Sequence, residues 1–187
     1  MLIWSWMEER IQMKIFIIVG MPAAGKNIAR IYAEERGLPY FATGDLVREE
    51  VRRRGIESTP GNMARLSTEL RGEDGMGVTR LALTSAMKTE APVVMIEGMR
   101  SWPEIELIRK NAPSVVLAFV APLSLRRERI VSRGRSDDKA AAFEERDDRE
   151  ISYGTAAPIA LADEYILNTG TLEEALKAMD AIVLKYR

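Results

Sequence analysis

Short apolar runs alternate with amphipathic stretches along most of this chain. Residues 15–19 precede a helical pattern over 28–36, 40–41 precede 46–54, and 93–96 precede 104–110. The alternation continues with 115–120 before 125–133, and 165–167 before 172–186. Continuous runs of this length, rich in Ile, Val and Phe, read as strands buried on both faces, and the 3.6-residue period between them reads as helices. A strand–helix unit repeated about five times predicts a five-stranded parallel sheet inside an α/β fold of three layers, α/β/α. Residues 55–90 carry helical patterning without a strand, punctuated by Pro60, Gly72, Gly75 and Gly77, and are expected to form a helical insertion between the second and third strands. Two helix starts are marked locally. Ser101-Trp102-Pro103-Glu104 combines a capping box with proline in the first turn, and Thr171-Leu172-Glu173-Glu174 is a second capping box.

The first apolar run ends in Gly20-Met21-Pro22-Ala23-Ala24-Gly25-Lys26 and then enters a helix. That succession is a phosphate-binding loop: backbone N–H groups of a tight turn point inward and the positive end of the next helix joins them. Gly25 lets the backbone approach a phosphate, and Lys26 is expected to reach the β- and γ-phosphates of a nucleotide. One position departs from GxxxxGK[ST]. Asn27 stands where a hydroxyl normally ligates Mg²⁺, and its amide oxygen is a weaker substitute.

Composition narrows the chemistry. The 187 residues fit one domain. Cysteine and histidine are both absent. Disulfides, Cys- or His-ligated zinc and His-dependent triads are therefore excluded, and catalysis has to rest on Lys, Arg, carboxylates and backbone dipoles. Phosphoryl transfer needs little more. A net charge of −1 argues against a general nucleic-acid binder. No apolar stretch approaches the roughly 20 residues that span a bilayer, so neither membrane nor nucleic acid is expected as a partner and a cytoplasmic location is. Residues 1–12 do not resemble a signal peptide. Two readings of them stay open: Met13 is the start, or Trp4 and Trp6 belong to a small extension packed on the surface.

Further segments lie where predicted strands end. Thr43-Gly44-Asp45-Leu46-Val47-Arg48 follows the second strand, and Glu97-Gly98-Met99-Arg100 follows the third. In an open parallel sheet ligands bind outside the carboxyl ends of strands, so both segments should converge on the phosphate loop. TGDLVR resembles the monophosphate-site segment of adenylate kinases, and EGMR their DGxxR segment shortened by one residue. Gly134-Arg135-Ser136-Asp137-Asp138 followed by Glu145-Arg146 resembles the adenylate kinase pattern of an arginine before two aspartates and a second arginine about three helical turns on. With Arg149-Glu150 and the Asn168-Thr169-Gly170 turn, residues 13–187 resemble the archaeal adenylate-kinase-related family, also described as dephospho-CoA-kinase-like.

That resemblance implies a P-loop nucleoside monophosphate kinase-like fold with a core over 13–54 and 91–187, a helical acceptor-site insertion over 55–90 and a short helical lid over 126–150, ATP as phosphoryl donor, Mg²⁺ as cofactor and a nucleotide as acceptor. Gly20 to Asn27, Arg129 and Asn168 would bind ATP. Thr43, Gly44, Asp45, Arg48, Gly98 and Arg100 would hold the acceptor, Arg48 and Arg100 gripping its phosphate through guanidinium forks. Lys26, Arg135 and Arg146 would neutralise the transferred group. Glu97, with Asn27, would orient Mg²⁺ through its water shell, or else Glu97 is a surface carboxylate. Asp45 either approaches the metal or an acceptor hydroxyl, or caps the helix expected from Leu46. Three functions remain open: phosphorylation of a nucleotide phosphate, phosphorylation of a hydroxyl as in dephospho-CoA kinase, and nucleotide-dependent regulation with weak ATPase activity. A GTPase switch is disfavoured, because neither DxxG nor NKxD is present where that class requires it.

Overall fold

The computed structural model describes residues 13–133 and 140–187, and side chains outside 133–142. Five strands are all parallel: β1 (Lys14–Val19), β2 (Tyr40–Ala42), β3 (Val93–Glu97), β4 (Ser114–Val120) and β5 (Glu164–Leu167), in the order β2-β3-β1-β4-β5. β1 is central and pairs with β3 on one side, Ile17 opposite Ile96, and with β4 on the other, Ile18 opposite Leu117. Nine helices are described: α1 (Asn27–Glu35), α2 (Thr43–Arg53), α3 (Pro60–Arg71), α4 (Gly77–Met87), α5 (Trp102–Asn111), α6 (Leu123–Arg133), α7 (Ala140–Ser152), α8 (Ala156–Ala160) and α9 (Leu172–Tyr186).

Alternation along β1 explains the layers. Phe16 and Ile18 pack on one face with Ala29 and Tyr32 of α1 and Met179 of α9, whereas Ile15, Ile17 and Val19 pack on the other with Ala82 of α4 and Ile105 and Ile108 of α5. Both faces of the strand are dry, which is why its sequence is apolar without a break. Each such side chain contributes about 1.5–3 kcal/mol by full burial. The five parallel strands and their flanking helices are those the apolar pattern predicts. Both capping boxes form: Ser101 N–H donates to the Glu104 carboxylate at 3.0 Å, and Thr171 N–H to that of Glu174 at 2.7 Å.

Two places differ from the sequence expectation. α2 starts at Thr43, directly off β2, rather than at Leu46. Asp45 therefore sits inside the first turn, where a negative charge suits the helix dipole, and Ala42 occupies the cap position. The second difference is α8, a short helix without an apolar run to announce it. Among the described side chains of α7, Phe143 and Asp147 are buried.

Candidate functional site

The turn between β1 and α1 is held in a shape few residues tolerate. Gly20 has φ +152°, and a side chain there would collide with the Phe119 carbonyl of β4. Gly25 has φ +107° and lies against the Asn168 amide, and Ala23 takes φ +58°. Left-handed residues among right-handed ones turn successive N–H groups toward one concavity, the geometry of an anion nest. Lys26 curls over this loop, its Nζ donating to the carbonyls of Gly20 at 2.8 Å and Met21 at 3.3 Å. Burial pushes its ammonium below the ordinary lysine value, while Glu97 and Glu150 nearby oppose that shift.

The outer side of the loop is braced by three side chains from distant elements. Asn168, just past β5 and only 6% exposed, donates from Nδ2 to the Ala24 carbonyl at 2.9 Å. Arg129 of α6 donates to the Asn168 carbonyl at 2.9 Å and to that of Ala23 at 3.3 Å. Arg126 donates to the Pro22 carbonyl at 3.1 Å while forming a buried ion pair of 2.5 Å with Asp147 of α7, and its guanidinium lies 5.3 Å from the Phe143 ring centroid. These groups satisfy loop carbonyls that would otherwise be turned away from water. Arg129 and Asn168 thus reach the loop backbone, a contact that sequence spacing does not reveal.

Across the cleft from Lys26 lies the end of β3 and the start of α2. Gly98, at φ +110°, packs so closely on Thr43 that any side chain would strike its hydroxyl. Thr43 Oγ1 donates to the Gly98 carbonyl at 3.5 Å, which joins the two segments. Arg48 lies beside Gly44 and is paired with Asp45, whose other oxygen is taken by Arg30 of α1. Partial burial raises the Asp45 pKa, but the two guanidinium groups outweigh it and hold the carboxyl below the usual range. Arg100 pairs with Glu150 of α7 at 3.3 Å and lies 5.0 Å from the Tyr153 ring centroid. At the end of β3, Glu97 accepts a 2.5 Å hydrogen bond from Tyr40 Oη. Burial first, and then that carboxylate, drive the Tyr40 hydroxyl pKa far above its ordinary value.

These segments enclose a single cleft of about 340 Å³ at the carboxyl ends of the strands. Gly20, Pro22 and Lys26 line one wall, Thr43, Gly44 and Arg48 a second, and Glu97, Gly98 and Arg100 the floor between them. Arg146 of α7 lines the remaining side. Arg30, Glu150 and Thr155 line it too. Glu150 belongs to the Arg149-Glu150 pair of the resemblance, without a role attached to it; the signal for Arg30 is its place four residues after Lys26, one helical turn on, and Thr155 has none in the sequence. Asn27 is exposed at the first position of α1, and Asp45 faces its two arginines. Arg135 lies outside the described residues.

Among the described residues no group of three or more carboxylates forms a protein-only metal cage. Glu97 lines the cleft and Asn27 does not; their side-chain oxygens are the donor type that a hard cation such as Mg²⁺ takes when it keeps most of its waters and leans on phosphate. No helix among the described residues is long and apolar enough to cross a membrane.

Comparison with known proteins agrees with this geometry. A profile described as an AAA domain matches residues 19–144. UPF0200 proteins of Methanosarcina mazei and Hyperthermus butylicus are 36% and 39% identical to the chain, over 93% and 86% of it and 96% and 88% of their own lengths. Among solved structures, a Thermus thermophilus protein superposes with a TM-score of 0.64 at 20% identity, over 94% of this chain and 99% of its own. The shikimate kinase of Bacteroides thetaiotaomicron superposes with a TM-score of 0.61 at 16% identity, over 92% and 99%. At those identities the two structures speak for the fold, that of P-loop kinases. From the phosphate loop, the parallel sheet and relatives aligned along nearly its whole length, the chain belongs to the archaeal UPF0200 family of P-loop proteins.

Proposed function

We propose that this protein is an ATP-dependent kinase that transfers the γ-phosphoryl group to a nucleotide acceptor. One observation carries the reading: the cleft that holds Lys26 does not end at the phosphate loop but continues to Thr43, Gly44, Arg48 and Arg100. A nucleotide binder needs the first part alone; a transferase needs a second phosphate-sized, cationic compartment in line with it.

In this reading residues 55–90 border the acceptor and residues 126–150 act as a short lid. The loop N–H groups and Lys26 hold the donor phosphates, and Arg48 and Arg100 hold the acceptor phosphate. Arg146, together with Arg135, spreads the charge that grows on the transferred group. Asn27 and Glu97 would hold Mg²⁺, which when bound neutralises the β- and γ-oxygens. Anionic phosphate oxygens beside Lys26 would oppose the lowering that burial imposes on its ammonium.

Asp45 decides between acceptor types. A hydroxyl acceptor gains from a free carboxylate as base, but both oxygens of Asp45 are engaged by arginines that hold it ionised and weakly basic. A phosphate acceptor needs no base. Phosphate acceptance is therefore favoured over a dephospho-CoA-kinase-like reaction. A second reading is a nucleotide-dependent regulator with weak ATPase activity, favoured by the exposed Asn27 in place of the metal-binding hydroxyl.

A coupled assay of ADP release with AMP, CMP, UMP or dephospho-CoA tests the proposal. Stimulation by a nucleoside monophosphate is expected. Stimulation by dephospho-CoA alone selects the hydroxyl reaction, and ADP release indifferent to every acceptor selects the regulator. Asn27→Ser is expected to raise turnover if the native metal site is the weak point.

A further inference from the structure

Thr155 sits at the junction of α7 and α8 and lines the cleft, yet no motif points to it. It is 4% exposed, and its hydroxyl has no hydrogen-bond partner among the described residues. Ser114 Oγ is the other such group, at the opposite end of the sheet where β4 begins. Buried hydroxyls are almost always satisfied, so an orphan in the wall of a binding cleft calls for a partner.

The local structure offers Thr155 an easy one and does not use it. Threonine before a helix normally accepts a hydrogen bond from an N–H of the first turn. Thr155 precedes α8, but it has helical backbone angles, φ −58° and ψ −23°, and its side chain makes no such cap. Its position is nonetheless fixed: Thr155 N–H donates to the Glu150 carbonyl at 3.2 Å, Gly154 N–H to that of Ile151 at 2.8 Å, and Gly154 packs on the Arg100 carbonyl. Thr155 thus lines a compartment shared with Lys26, Arg100 and Arg146, its hydroxyl oxygen set in the wall.

We infer that Thr155 Oγ1 donates a hydrogen bond to a phosphoryl oxygen bound between Lys26 and Arg100, making it a ligand-contacting residue of this site. The chemistry of the partner follows from its surroundings. A compartment walled by cations collects anionic oxygens, which accept and never donate, and a hydroxyl is free to rotate its proton toward them. The role is a matter of side-chain reach, independent of the short helix that follows. It rests on the phosphate-binding half of the function proposed above and not on transfer.

Inorganic tripolyphosphate is the probe, titrated calorimetrically into the full chain alongside Thr155→Val and Thr155→Ser, with thermal midpoints of the three free proteins. Valine keeps the shape and removes the hydroxyl. The expected result is binding weakened about tenfold in Thr155→Val, near-normal binding in Thr155→Ser, and a free-protein midpoint for Thr155→Val that is unchanged or higher, since an unsatisfied group has gone. Equal binding by Thr155→Val and the native protein overturns the inference. So does a loss that comes with a lowered midpoint and is not rescued by serine, which makes Thr155 structural. If the native protein binds tripolyphosphate in the expected pattern but transfers no phosphoryl group, Thr155 stands and the kinase reading falls. Failure of the native protein to bind tripolyphosphate overturns both.

Discussion

The two halves of the cleft hold their charges in opposite ways. On the side of the phosphate loop, Arg126 and Asp147 form a buried pair, and Arg126, Arg129 and Asn168 spend their donors on carbonyls of the loop. On the other side, Arg48 is mostly exposed and rests on a half-exposed Asp45, and Arg100 is partly exposed and rests on the more buried Glu150. Buried polar networks are rigid because breaking them strands a desolvated charge, while exposed ion pairs exchange at little cost. In the proposed reaction, the donor site would be built before its ligand arrives and the acceptor site assembled by exchange. Stability should therefore reside in the first half and specificity in the second.

The largest expected effect comes from Arg126→Met, which leaves Asp147 buried and unpaired and should cost about 3–5 kcal/mol in urea-unfolding experiments. Replacing both partners, Arg126→Met with Asp147→Leu, should recover most of that loss. A single variant as stable as the native protein would break the contrast. Lys26→Met should lower acceptor-stimulated ADP release about 10²–10³-fold, because a cation is lost where charge develops.

Arg100→Ala belongs to the other half. It should raise the acceptor KM about tenfold or more by losing a charge-assisted fork, yet move unfolding free energy by no more than about 0.5 kcal/mol. The smallest effect concerns Asp45. Its depressed pKa means that its pairs stabilise the fold above the ordinary value of about 3.9, and that this contribution is lost as pH falls through the lower folded value. Asp45→Asn should accordingly cost under about 1 kcal/mol near neutral pH, with native and variant curves converging below about pH 3.9.

The same contrast explains what could be read from sequence. Strands, the phosphate loop and the residues at strand ends are local patterns: an apolar run at 15–19, a glycine–lysine spacing, short motifs following each run. Braces are not local. Arg129 and Asn168 lie far from the loop in sequence, and what they grasp is backbone, which leaves no residue-type signature. The helix of α7 is expected from the resemblance, but not which face it buries, because its inward face carries Asp147, a charge that is buried only because Arg126 meets it. A strand passing straight into a helix needs no polar cap, so nothing in the sequence marks the α2 start at Thr43. Thr155 carries no motif, and its idle hydroxyl shows only in the fold.

The central claim is that one cleft joins two substrates. Single-turnover transfer from γ-labelled ATP, run with a nucleoside monophosphate and the native or Arg100→Ala protein, tests it most directly. The account predicts label in the acceptor with the native protein, and its loss in Arg100→Ala while ATP binding persists. Label appearing only as inorganic phosphate, at a rate indifferent to the acceptor, would contradict it.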